Sequence, residues 1–82
     1  MSQPAPHPDL SVTMRFEPEE GIADLDKHLE ELRRQADEAG FKFDPHAARN
    51  ELQAATFGKR RPSTARLVLS PTGTMAIEVK SA

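Results

Sequence analysis

The sequence contains no cysteine, no tryptophan and no tyrosine. Without thiols, a disulfide scaffold, a cysteine-ligated zinc site and an iron–sulfur cluster are all excluded. Long apolar runs are missing too: the longest uninterrupted aliphatic run is Leu67-Val68-Leu69. A membrane span needs roughly 20 apolar residues and a signal-peptide core about 7–15, so neither is expected and a cytoplasmic location is. Aromatics are limited to four phenylalanines, which read as core and leave no stacking platform for single-stranded nucleic acid. With 82 residues, the chain allows one small domain, and such a domain hides only about 60 % of its unfolded surface. Its core is thin, and self-association or a permanent partner would relieve it.

What is abundant is charge, and it is unevenly spread. The formal net charge is −2. Residues 17–38 hold nine acids against three bases, −6, whereas residues 41–82 hold seven bases against three acids, +4. An acidic middle and a basic second half can attract each other across two copies, or attract two different partners.

Residues 1–9 carry three prolines at alternate positions and read as a flexible, proline-rich tail. A single α+β domain is expected over 10–82. Residues 10–16 alternate strictly, with Leu10, Val12, Met14 and Phe16 on one side and Ser11, Thr13 and Arg15 on the other; this is a half-buried strand. Ile22, Leu25, Leu29, Leu32, Ala36 and Ala39 then recur at intervals of three and four, one apolar stripe of a helix over 22–39. Gly40 supplies a left-handed cap, with Phe41 as its hydrophobic companion. Asp44-Pro45 opens a second, shorter helix as N-cap and first helical residue. That helix reaches about Phe57, and its apolar side is Ala48, Leu52, Ala55 and Phe57. Residues 65–70 and 74–80 form two strands around a Pro71-Thr72-Gly73 turn. The order β-α-α-β-β predicts a two-layer α+β fold: a three-stranded antiparallel sheet with one long and one short helix on one face. Whether the first strand pairs with the second or the third is left open.

The charged segments are the candidate working surfaces. Lys59, Arg60 and Arg61 are consecutive and Arg66 follows on the next strand, a cluster able to meet phosphates or a carboxylate-bearing protein. The bland alternative is a solvated loop. Opposite the helical stripe lie Lys27, Glu30, Glu31, Arg34 and Glu38, with Glu30–Arg34 and Lys27–Glu31 spaced as ion pairs. That face is either a salt-bridged, solvated surface or one that docks on a basic groove. The stripe is short for a coiled coil, so packing on the chain's own sheet is preferred to a helix-mediated dimer. His28 lies within a turn of Asp24 and Glu31, but no metal-ligand motif supports it, and it reads as a boundary histidine. The strand order is similar to the start of a KH module; Gly40-Phe41-Lys42-Phe43 lacks the second glycine of the Gly-x-x-Gly loop, which excludes the match. Arg60-Arg61-Pro62-Ser63 resembles a basophilic kinase site, where a phosphate would neutralise the basic loop.

No nucleophile motif and no phosphate-binding glycine loop appears, so no catalytic, cofactor-binding or metal residue and no small-molecule substrate is assigned. The resulting expectation is a small non-enzymatic protein-binding module, a homodimer acting as a stoichiometric regulator or inhibitor of a larger, nucleic-acid-handling assembly. Its alternative is a nucleic-acid-binding module using the basic loop 59–66.

Overall fold

A computed structural model of the chain describes residues 9–81. The tail expected over 1–9 lies, up to position 8, outside the described residues. The element order is β1 (Leu10–Glu17), β2 (Gly21–Ile22), α1 (Leu25–Ala39), α2 (Pro45–Thr56), β3 (Ser63–Leu69) and β4 (Met75–Ser81). The strands form one antiparallel sheet in the order β2-β1-β3-β4. The α+β class holds, with four strands in place of the three expected.

The additional strand comes from the turn after β1. Glu20 N–H bonds to Glu17 C=O at 3.1 Å, and Gly21 takes a φ of +85° that a side chain would oppose. The chain therefore doubles back at once, and Ile22 pairs with Phe16. Ile22 fits the helical stripe by spacing alone; here it reaches the core from the sheet instead. α1 starts only at Leu25, after Asp24, which adopts a left-handed φ of 52° and makes no side-chain capping bond.

Other termini form as their residues dictate. Gly40 closes α1 in the left-handed conformation, and Phe41 N–H bonds to Ala36 C=O at 2.8 Å. Phe41 is buried behind that cap. Asp44 caps α2, its carboxylate accepting from His46 N–H at 3.0 Å and Ala47 N–H at 3.2 Å.

Both β1 and β4 pair with β3, which settles the strand order. Leu10 opposes Leu69 and Phe16 opposes Ser63 in one ladder; Ser63 opposes Ser81 and Leu69 opposes Met75 in the other. Ala65, Leu67 and Leu69 of the central strand are fully buried. α1 packs on β1, and α2 on β4 and β3. Met14, Leu32, Leu52, Leu67 and Leu69 form the centre of the core. Arg49 of α2 pairs with Asp26 of α1 across the helix layer.

Phe57 departs from expectation. It follows α2 as an extended C-cap residue and is 89 % exposed. Helix geometry ends one residue too early to turn its ring inward, and Thr56 occupies the buried position, its hydroxyl donating to Leu52 C=O at 2.9 Å.

Candidate functional site

Among the described residues no helix covers the sheet's second face. Cross-strand register arranges it in rows: Ser11–Val68–Ala76, Thr13–Arg66–Glu78 and Arg15–Thr64–Lys80. Arg66 lies 3.9 Å from Glu78, and Arg15 donates to Glu17 at 2.7 Å. Arg66 thus belongs to the body of the sheet, roughly 10 Å along β3 from its first residue at about 3.3 Å per residue. Lys59, Arg60 and Arg61 lie in the exposed loop before β3. The structure keeps those three together and separates Arg66 from them.

At that end of the molecule the loop meets the β1–β2 turn. Arg60 borders an open depression with Glu17, Pro18, Glu19 and Glu20. Beside it lies an apolar cleft of about 260 Å³ lined in part by Phe16, Ile22, Leu25 and the exposed Phe57. Pro18 is shared by both. The acidic lip and the basic lip therefore flank one apolar floor. Composition revealed the two charge blocks; the apposition arises from the β2 turn, which spacing did not reveal.

On α1 the arginines set the pattern of pairing. Arg33 bridges Glu30 at 2.5 Å and Asp37 at 3.1 Å. Arg34 bridges Glu31 and, at 2.9 Å, Glu38, and Gln35 donates to Glu31 at 3.0 Å. These pairs replace the expected Glu30–Arg34 and Lys27–Glu31 contacts, because each arginine reaches back three residues and forward four. Hydrogen bonding to Arg33 holds the Glu30 carboxyl below its ordinary range, and hydrogen bonding to Arg34 does the same for Glu31. The same bonds raise both guanidinium groups. Lys27 makes no ion pair among the described residues.

His28 is half-buried and His46 exposed. Among the described residues no three histidine or carboxylate groups are gathered to hold a metal ion. Ser63, the acceptor of the kinase-like tetrapeptide, is 2 % exposed, and its hydroxyl donates to Arg61 C=O at 3.0 Å; the folded chain does not present it. No helix among the described residues is long and apolar enough to cross a membrane.

No family model and no curated protein matches the chain. A solved structure does. The fold is similar to that of a "Putative amino-acid aminotransferase" from Mesorhizobium loti, with a TM-score of 0.81 and 32 % sequence identity. The likeness covers 89 % of this chain and 35 % of that one, so the chain spans about a third of its neighbour's length. This finding overturns the expectation of a non-enzymatic regulator or inhibitor: the fold is shared with a portion of a chain described as an aminotransferase. Motif reading missed it for a physical reason. The likeness lies in the path of the strands and helices, which short motifs do not record.

Lys27, Lys42, Lys59 and Lys80 are all exposed.

Proposed function

We propose that this chain is the counterpart of one α+β portion of an aminotransferase-like enzyme, and that further polypeptide completes the active site. The observation that carries this reading is the match itself: 32 % identity over 89 % of the chain, with 35 % of the neighbour. The distribution of side chains supports it. A sheet backed by helices on one face, with serine, threonine and alanine among the ions on the other, suits a rigid wall against which a larger body packs.

The test is a domain replacement. The matched third of the Mesorhizobium loti protein is exchanged for residues 9–81 of this chain. The hybrid is expected to unfold cooperatively and to retain whatever amino-group transfer between amino acid and 2-oxo acid the parent shows with pyridoxal phosphate. A hybrid that folds but loses both cofactor binding and transfer, or that cannot fold while the parent does, refutes the reading.

A further inference from the structure

Among the described residues β4 ends the sheet as an uncapped edge. Its ladder to β3 runs one-to-one from Leu69↔Met75 to Ser63↔Ser81, with no bulge and no proline. Ser70 N–H bonds to Thr74 C=O at 2.9 Å, which fixes the phase of the antiparallel ladder. Bonded pairs alternate with non-bonded ones, so Ala76, Glu78 and Lys80 direct their backbone groups to β3. Ile77 and Val79 direct theirs outward, where no strand follows among the described residues. Such an edge is a template for strand addition. The side chains point the same way. Met75, Ile77 and Val79 pack against the core yet are only half-buried, whereas Ala65, Leu67 and Leu69 beside them are fully buried.

We propose that β4 pairs with β4 of a second copy about a two-fold axis through Val79. The axis position follows from charge. A two-fold pair through Glu78 would set two carboxylates opposite each other, which is destabilising. A pair through Ile77 leaves Glu78 facing Ala76 and Lys80 facing Thr74, with no ionic match. Through Val79, Glu78 of each copy faces Lys80 of the other, twice. Those positions are non-bonded pairs, where side chains approach most closely. Val79 meets its own counterpart on the helix side, Ile77 faces Ser81, and both outward-pointing residues find backbone partners. The sheet becomes continuous across eight strands, and the half-buried rim is covered. β1 offers no such match: outside the stretch paired with β2 its free flank carries one cation, Arg15, and no anion to face it. This inference stands independently of the enzyme reading, because β4 pairing and domain replacement are measured separately.

Sedimentation equilibrium of the full chain tests it. A concentration-dependent dimer is expected. Val79→Pro removes an outward N–H that the β3 ladder does not use, so the chain still melts cooperatively and the dimer is lost. Glu78→Lys and Lys80→Glu each set like charges opposite and raise the dimer Kd at least about ten-fold. The double exchange Glu78→Lys/Lys80→Glu restores it. In the wild-type dimer, hydrogen exchange slows at the Ile77 and Val79 amides. A chain that stays monomeric up to about 1 mM overturns the proposal. So does a dimer indifferent to all these variants, or one whose Ile77 and Val79 amides exchange as freely as in the monomer.

Discussion

Leu52 and Phe57 sit five positions apart at the same helix end, both large and both apolar, and truncating them should have opposite consequences. Leu52 is fully buried between α2 and the sheet. Leu52→Ala removes its transfer free energy and leaves a cavity, a loss of about 2–5 kcal/mol. A domain of this length has about 4–12 kcal/mol in all, at about 0.05–0.15 kcal/mol per residue, so the variant loses a large share of its stability. Phe57 is 89 % exposed. The remaining tenth of a side chain of roughly 200 Å² is about 20 Å², or about 0.5 kcal/mol at 25 cal/mol per Å². Urea unfolding followed by far-ultraviolet circular dichroism is the suitable assay, because the chain has no tryptophan or tyrosine to report by fluorescence. At low protein concentration, Leu52→Ala is expected to move the midpoint strongly with the slope preserved. Phe57→Ala should barely move it. Equal losses, or a Phe57→Ala cost above about 1.5 kcal/mol, would refute the placement of the α2 C-terminus.

Three further outcomes follow from the geometry. Asp44→Ala forfeits two N–H contacts at the start of α2 and should cost about 1 kcal/mol, while Asp44→Asn retains most of it; chemical denaturation distinguishes them. Gly73 has φ +97°, and a Cβ there would lie 3.2 Å from Lys42 Cβ and 3.3 Å from Lys42 O. At Gly40 nothing lies within 4 Å, so Gly73→Ala should lower Tm more than Gly40→Ala, although both are strained. The folded-state pKa values of Glu30 and Glu31 lie below the ordinary 4.5. Their contribution is therefore present at pH values above about 4.5 and lost as pH falls through the depressed values. Replacing Arg33 and Arg34 with alanine should flatten that acid limb, measured as Tm against pH, and 1 M salt should flatten it in the wild type.

Much of the fold was legible because local chemistry and tertiary demand agree. The β1 alternation, the Gly40–Phe41 cap, the Asp44-Pro45 start and the alternating strands each appear where their residues direct. The failures have separate causes. Ile22 has the helical spacing, but a glycine at positive φ one residue earlier commits the backbone to a hairpin, and spacing carries no information about φ. Phe57 has core chemistry, but one missing helical residue turns it to solvent. The arginine ladders on α1 depend on side-chain reach in both directions, which pair-spacing rules reduce to one partner. Of the candidate surfaces, the basic triplet and the acidic helix were visible as charge. The cleft between the loop and the β1–β2 turn was not, since it depends on the same misread hairpin. The likeness to part of an aminotransferase was invisible from residues alone because it lies in the path of the strands and helices, which short motifs do not record.

Pairing of Leu10 with Leu69 and Phe16 with Ser63 also bears on how the molecule comes into being. Closing that ladder spans both helices and is the costliest loop in the fold, whereas the β3–β4 hairpin is nearly local. During synthesis, β1 leaves the ribosome early and waits with Leu10, Val12, Met14 and Phe16 unsheltered until β3 arrives. Of the four described strands, β1 is made before the others and is among the last secured, which leaves its apolar face open to aggregation in the meantime.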